Sequence, residues 1–141
     1  GKSLFDRARQ EARESRIDGR PDILGSDIDA RSIDLCKKHA KKAGVMVSWR
    51  VAPLSELSSD KSGGLIVCNP PYGERMMEKR EAEALYREMR HKFDELDNWQ
   101  VSVITAYRDF ERIYGKRADK RRKLSNGGMV CTMYQYFKRN D

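Results

Sequence analysis

The sequence alternates short segments rich in apolar and β-branched residues with longer segments of helical periodicity. The short segments predict five strands: DILGSDID (22–29), VMVSWRV (45–51), GGLIVC (63–68), WQVSVITA (99–106) and MVCTMYQYF (129–137). The longer segments predict helices over 3–16, 30–43, 80–96 and 109–115. Strands that alternate with helices of this length favour βαβ units. We therefore expect an α/β fold with a mostly parallel, doubly wound sheet.

The chain has 141 residues, about the length of one domain. No internal repeat, low-complexity tract or Pro/Gly/Ser-rich linker divides it, so residues 1–141 are read as one unit. Ligands of such sheets bind beyond the carboxyl ends of the strands. This rule predicts that Asp27, Asn69 and Ala106, each near the end of a predicted strand, lie on one edge of the molecule.

The composition indicates a soluble protein that packs a core. Apolar residues make up 38% of the chain, and charged residues make up 36%, well above the usual ~25%. No apolar run reaches the ~18 residues of a membrane span, and the first ten residues lack the apolar stretch of a signal peptide. We expect a cytoplasmic protein. Its three cysteines form no CxxC motif, which predicts reduced thiols and neither a disulfide framework nor a metal site.

The positive charge is concentrated in a basic segment at 116–123, KRADKRRK. Six Lys or Arg residues against one Asp give this segment a net charge of +5 out of the chain's +7. Such a density suits contacts with RNA phosphates, each of which increases the salt dependence of binding. The alternative interpretation is a solvated loop that only keeps the protein soluble.

The tetrapeptide Asn69-Pro70-Pro71-Tyr72 carries the sharpest chemical signal. The two prolines stiffen the turn, so the Asn69 amide oxygen and the Pro70 carbonyl become two fixed hydrogen-bond acceptors at the sheet edge. Two such acceptors suit one exocyclic NH2 group, because hydrogen bonds from both its protons favour its reactive, pyramidal form. Tyr72 supplies a ring on which a planar base can stack. The alternative is a rigid turn that merely ends a strand.

This tetrapeptide resembles motif IV of the S-adenosylmethionine-dependent amino-methyltransferases, which modify adenine N6, guanine N2 or a glutamine amide. Three longer strings, NPPYGER (69–75), GSDIDAR (25–31) and ADKRRKLSNG (118–127), are more specific. Together they resemble the bacterial THUMP-domain methyltransferases that act on guanine N2 of large-subunit ribosomal RNA. The similarity covers most of residues 4–138 and implies a Rossmann-like methyltransferase sheet.

The resemblance also implies roles for individual residues. Asp27 matches the acid whose carboxylate accepts the two ribose hydroxyls of S-adenosylmethionine, and Ile28 would pack on the adenine. Asn69 and Pro70 would orient the target amine toward the methyl group. Methyl transfer then needs neither a metal nor a nucleophilic residue, since the rate comes from positioning and electrostatics. The alternative for Asp27 is a turn former, and Asp29 is expected to cap the following helix.

Two departures from the family bear on the cofactor. The glycine-rich cofactor loop and the strand before it, which lies centrally in this fold, are absent, and Pro53 stands where many relatives have an acidic residue. We therefore expect residues 1–141 to be part of a longer methyltransferase and to bind S-adenosylmethionine weakly or not at all by themselves. Besides guanine N2 methylation, two alternatives stay open: a DNA adenine-N6 or glutamine-amide methyltransferase, and a noncatalytic RNA-binding module that has lost its cofactor site.

Overall fold

The computed structural model describes residues 1–73 and 76–138, so Glu74 and Arg75 of the NPPYGER string lie outside the described residues. Contacts divide the chain into two compact units, Gly1–Val51 and Ala52–Asp141. The division falls directly after a strand, at a point where the sequence contains no Pro/Gly/Ser-rich linker. Each unit is an arrangement of strands and helices, as the α/β prediction requires.

The first unit contains two helices and two strands. In chain order they are α1 (Lys2–Glu14), β1 (Leu24–Asp27), α2 (Ala30–Ala43) and β2 (Ser48–Val51). β1 and β2 pair in parallel, with Asp27 beside Val51 at their carboxyl ends. The helix α2 connects the two strands, which gives the predicted βαβ unit.

The boundaries of α2 follow from its capping residues. The Asp29 carboxylate accepts a hydrogen bond from the Arg31 backbone N–H at 2.9 Å, which confirms the expected N-terminal cap. Gly44 ends the helix in the left-handed region, at a φ of 70°. Ile33 and Ala40 of α2 are buried, whereas α1 buries none of its residues.

Each parallel strand pair contains a glycine covered by a tryptophan ring. In the first unit Trp49 lies over Gly25, and in the second Trp99 lies over Gly64. A methyl group on either glycine would overlap the tryptophan ring, so both positions accept only glycine in this packing. The Trp99 indole also donates a hydrogen bond to the Lys61 carbonyl at 3.1 Å.

The second unit is built on a four-stranded sheet with two helices. Its elements are β3 (Gly64–Cys68), α3 (Met76–Asp94), β4 (Trp99–Thr105), α4 (Phe110–Tyr114), β5 (Lys120–Asn126) and β6 (Met129–Tyr136). The strand order is β3-β4-β6-β5. β3 and β4 are parallel, whereas β6 is antiparallel to both of its neighbours.

The structure corrects two expectations at the end of this sheet. Half of the basic segment forms the strand β5, which was not predicted, and this sheet is mixed rather than mostly parallel. The cause is a tight hairpin, since Gly127 and Gly128 both have positive φ, 57° and 86°. Two consecutive residues of positive φ join neighbouring antiparallel strands. The string Asn126-Gly127-Gly128 is the sequence signal for this hairpin.

The core of the second unit lies on one face of its sheet, beneath α3 and α4. It is strongly aromatic: the Phe110 ring packs against Tyr86, Tyr114 and Tyr134 at centroid distances of 4.9 to 5.1 Å. The buried residues of this core are Ala82, Tyr86, Met89, Phe93, Val101, Val103, Phe110, Ile113, Tyr114, Tyr134 and Tyr136. The opposite face is open at β3, where Leu65 and Val67 are 59% and 62% exposed.

The strands β1 and β3 each lie at an edge of their own sheet within the described residues.

The three cysteines are free thiols, with Cys131 buried and Cys36 and Cys68 half-buried. No helix among residues 1–73 and 76–138 is long and apolar enough to span a membrane.

Candidate functional site

The turn Asn69–Tyr72 leaves the carboxyl end of β3. Asn69 is exposed and Pro70 is buried, so the asparagine side chain faces solvent from an anchored turn. Because β3 runs parallel to β4 with Cys68 beside Val103, the turn and Ala106 follow strands that end at the same edge. This part of the sheet-edge prediction is confirmed. Asp27 ends β1, a strand of the other unit.

The Asn69 carboxamide is oriented by the turn itself. The Tyr72 hydroxyl donates to Asn69 Oδ1 at 2.9 Å and lies 3.5 Å from the Cys131 thiol. Its contact with Cys131, together with partial burial, raises the pKa of Tyr72. The hydroxyl therefore stays protonated at neutral pH and remains a donor. The amide oxygen keeps a second lone pair, which can accept from a ligand amine.

Tyr86, which the sequence did not single out, binds the backbone carbonyl of Pro71. Tyr86 of α3 donates to the Pro71 carbonyl at 2.5 Å, and its hydroxyl lies 3.3 Å from Thr105 Oγ1 at the end of β4. Tyr86 is fully buried, whereas the apolar side chain next to it in the sequence, Leu85, is only half-buried. No local motif marks Tyr86, because its partner lies 15 residues away.

A depression of about 540 Å³ lies beside the turn. Its floor and walls come from the turn and the adjoining part of α3, namely Pro71, Tyr72, Gly73, Glu78, Glu81, Ala82 and Leu85. The lining therefore combines apolar and aromatic side chains with the carboxylates of Glu78 and Glu81. Such a lining suits a flat ligand that presents hydrogen-bond donors at its edge.

In the first unit, Asp27 and Ile28 follow the end of β1. Asp27 Oδ1 accepts from the Asp29 backbone N–H at 2.8 Å, so this carboxylate does form a turn. Within the described residues its second oxygen, Oδ2, has no hydrogen-bond donor. Ile28 beside it is 75% exposed. An open carboxylate oxygen next to an exposed apolar side chain is compatible with the diol and the base of a nucleoside.

The basic segment has two faces with different roles. Residues alternate sides along β5, so Arg121 points to the helix-covered face and Lys120 and Arg122 point to the other. Arg121 donates to both carboxylate oxygens of Glu111 at 2.7 Å. This bidentate pair fastens β5 to α4 and lowers the pKa of Glu111. Arg121 therefore stabilises the folded structure.

Lys120 and Arg122 are exposed, and no hydrogen bond or ion pair of theirs occurs among the described residues. They share their face of the sheet with Met133, the register partner of Arg122. This face is the one that α3 and α4 leave uncovered. The cations that suit phosphate contacts are thus fewer than the sequence count indicated.

Pro53 begins a short 3-10 turn, in which its carbonyl accepts from the Glu56 N–H at 3.1 Å.

His39 and His91 are exposed on helix surfaces. Throughout residues 1–73 and 76–138, no group of three or more His, Cys, Asp or Glu side chains is arranged to hold a metal ion.

Comparison with curated proteins finds relatives among RNA methyltransferases. The chain is 38% identical over 142 residues to the Bacillus subtilis (strain 168) protein named "Putative RNA methyltransferase YpsC", which matches 99% of this chain and 37% of that protein. It is 32% identical over 135 residues to the ribosomal RNA large subunit methyltransferase K/L of Legionella pneumophila (strain Corby), covering 94% of this chain and 19% of the relative. The chain thus spans well under half the length of these relatives.

A solved structure described as "SMU.472, a putative methyltransferase complexed with SAH" has the same fold. It superposes with a TM-score of 0.86 at 34% identity, over 100% of this chain and 38% of that one. Residues 2–135 match the UPF0020 family, described as the RMKL-like methyltransferase domain. Since this match covers nearly the whole chain, the protein belongs to the UPF0020 family of RMKL-like methyltransferase domains.

Proposed function

We propose that this chain is the catalytic part of an S-adenosylmethionine-dependent methyltransferase that methylates the exocyclic N2 amine of a guanine in large-subunit ribosomal RNA. The observation that carries the proposal is the exposed Asn69 amide oxygen at the end of β3, oriented by the Tyr72 hydroxyl. Membership of a methyltransferase family supports the reaction class. The substrate rests on the relatives' names and on the chemistry of the depression beside the turn.

The turn prepares the amine for attack. Asn69 Oδ1 and the Pro70 carbonyl accept one hydrogen bond each from the two protons of the NH2 group, which localises the nitrogen lone pair. The bound cofactor supplies an electrophilic methyl group on a sulfonium centre. With the amine held by Asn69 and Pro70, its nitrogen would bond to that methyl group as the S–CH3 bond broke, which would leave S-adenosylhomocysteine and pass the surplus amine proton to water. Tyr72 stacks on the base and holds its plane.

The residues at the end of β1 fit part of this cofactor. The Asp27 carboxylate keeps an open oxygen and can accept from the vicinal ribose hydroxyls, while the exposed side chain of Ile28 can cover one face of the adenine. The first-unit residues thus hold the nucleoside. Groups for the methionine part are expected from the segment with the glycine-rich loop, which the family places before these residues.

Guanine fits the depression beside the turn better than adenine does. A flipped base is read along its Watson–Crick edge. Guanine presents N–H donors at both N1 and N2 on that edge, whereas adenine presents an acceptor at N1. The Glu81 carboxylate in the depression can accept from the guanine N1–H and would repel the adenine N1 lone pair. This charge pattern favours guanine as the target.

The RNA backbone is held by the open face of β5. Lys120 and Arg122 project from this face with no internal partner among the described residues, and both are exposed. Cations so placed can contact phosphates without breaking a bond of the fold. The basic segment therefore binds RNA through one of its two faces.

The isolated sequence is part of a larger catalytic domain. Leu65 and Val67 are exposed on β3, an edge strand, and β1 lies at the edge of its own two-stranded sheet. A further strand would pair with such edges, and a helix packed on the open face would cover these apolar side chains. The short share of each relative that the chain matches is compatible with this proposal.

Methylation by the longer protein that contains this chain tests the proposal. Asn69→Ala removes one preorganised acceptor and should slow methyl transfer roughly 10²–10³-fold. The assay incubates the protein with labelled S-adenosylmethionine and ribosomal RNA, DNA or protein, then identifies the methylated nucleoside or residue by mass spectrometry. Label in N2-methylguanosine supports the proposal. Label in N6-methyladenine or methylglutamine, or RNA binding without transfer, supports one of the alternatives, and an unimpaired Asn69→Ala variant removes Asn69 from the mechanism.

A further inference from the structure

The two prolines fix only part of the geometry of the turn. Each ring holds its own φ at about −65°, and a following proline keeps Asn69 and Pro70 extended, but no proline follows Pro71, so ψ of Pro71 stays free. Further contacts are therefore needed before the chain beyond Pro71, including Tyr72, has one orientation. Those contacts lie on α3.

The first contact is the hydrogen bond from Tyr86 to the Pro71 carbonyl, at 2.5 Å. It fixes ψ of Pro71 and so the direction in which the chain enters Tyr72. The Tyr86 ring cannot follow a moving turn, because it is fully buried and packs edge-on against Phe110 and Tyr107 at 5.0 and 5.5 Å. Its hydroxyl also lies 3.3 Å from Thr105 Oγ1.

The second contact is made by the backbone of Gly73. Gly73 has a φ of 68°, and a Cβ placed on it would lie 2.9 Å from the Lys79 Cα and 3.1 Å from the Ala82 Cβ. The turn thus lies directly on the surface of α3 at this point. Between the two contacts stands Tyr72, whose hydroxyl orients Asn69.

We propose that Tyr86 is a positioning residue for methyl transfer: it anchors the Asn69–Tyr72 turn to α3 and so fixes Tyr72, which keeps the Asn69 acceptor aimed at the amine. This inference rests on the proposed function and deepens it, since it assigns a role to a side chain that touches neither base nor cofactor. Tyr86 acts only through Pro71 and Tyr72. Its contribution is therefore expected in kcat and not in the affinity for either substrate.

Tyr86→Phe and Tyr136→Phe form a matched pair of variants. Each removes one hydroxyl from a buried tyrosine of the same core that donates to a backbone carbonyl, Pro71 for Tyr86 and Lys116 at 2.8 Å for Tyr136. Both should lower the melting temperature of the longer protein by similar amounts. Only the Tyr86 variant frees the turn, so Tyr136→Phe controls for the loss of stability.

In the methylation assay, Tyr86→Phe should lower kcat about tenfold and leave KM for RNA and for S-adenosylmethionine within about twofold. Tyr136→Phe should keep the wild-type kcat. If both variants lose the same fraction of kcat, or if Tyr86→Phe changes KM alone, Tyr86 has only a structural role and the proposal is overturned.

Amide hydrogen exchange gives a readout that does not depend on activity. In the peptide spanning residues 69–73, exchange should rise at least about threefold in Tyr86→Phe and stay at the wild-type rate in Tyr136→Phe. Unchanged exchange in Tyr86→Phe refutes the anchor. A wild-type protein that methylates no substrate refutes the proposed function and the kinetic role with it, while faster exchange in Tyr86→Phe still supports the anchor, so the two failures are distinguishable.

Discussion

The two faces of β5 lead to a prediction that separates RNA binding from folding. The double variant Lys120→Gln/Arg122→Gln removes two cations from the open face, and Arg121→Gln removes one from the face covered by helices. The sequence alone treats these cations as equivalent. The structure does not, because Arg121 is already bound to Glu111 by two hydrogen bonds of 2.7 Å.

The expected magnitude follows from the number of free cations. Each phosphate contact contributes about 0.9 to the slope of log K against log salt on duplex and about 0.7 on single strands. Losing Lys120 and Arg122 should therefore reduce the slope by about 1.4 to 1.8. Arg121→Gln should leave the slope unchanged.

Arg121→Gln should instead change stability and its dependence on pH. Hydrogen bonds from Arg121 lower the pKa of Glu111, so the folded state favours the ionised carboxylate. The stabilisation is fully present above the ordinary carboxyl pKa of about 4.3 and is lost as the pH falls through the lowered value. In Arg121→Gln the melting temperature should be lower at neutral pH and should fall less on acidification than in the wild type.

Filter binding of the chain to a ribosomal RNA fragment, between about 50 and 200 mM salt, measures the slopes. Thermal unfolding followed by circular dichroism between pH 3 and pH 7 measures stability. The reasoning is refuted if Arg121→Gln reduces the slope as much as the double variant does, or if the double variant leaves the slope unaltered.

Three further outcomes are expected for the longer protein. Asp27→Asn should weaken S-adenosylmethionine binding about 10- to 100-fold, since a charge-assisted hydrogen bond contributes about 1.5–3 kcal/mol; calorimetry with wild-type affinity would exclude Asp27 from the cofactor site. Tyr72→Phe keeps the stacking ring but loses the donor to Asn69, so kcat should fall about fivefold with RNA affinity unchanged, and single-turnover kinetics would contradict this if kcat were intact. Glu81→Gln should reduce kcat/KM for the guanine substrate about tenfold, and an undiminished value in steady-state kinetics would remove Glu81 from base recognition.

Much of the fold could be predicted from periodicity and caps. Asp29 and Gly44 bound α2 as expected, because capping depends on residues within a few positions of each other. The strand β5 could not be predicted from apolar patterning, since its first four side chains, at residues 120–123, are charged and exposed. Only the glycine pair after Asn126 signals its hairpin.

The candidate site could be predicted only where its residues are close together in the sequence. The turn at Asn69 is a continuous motif, and the sequence gives its position and chemistry directly. Tyr86 and Glu111 act through partners distant in the chain, 15 residues away for Tyr86 and 10 for Glu111. Such pairs depend on how α3 and α4 pack, which no local pattern specifies.

The two glycine–tryptophan contacts give each unit its own optical reporter. The chain has two tryptophans, Trp49 over Gly25 in the first unit and Trp99 over Gly64 in the second. Unpairing of either strand pair moves its indole into water and shifts its emission to longer wavelength. Trp49→Phe and Trp99→Phe each leave one fluorophore, so the unfolding of the two units can be followed separately within one molecule.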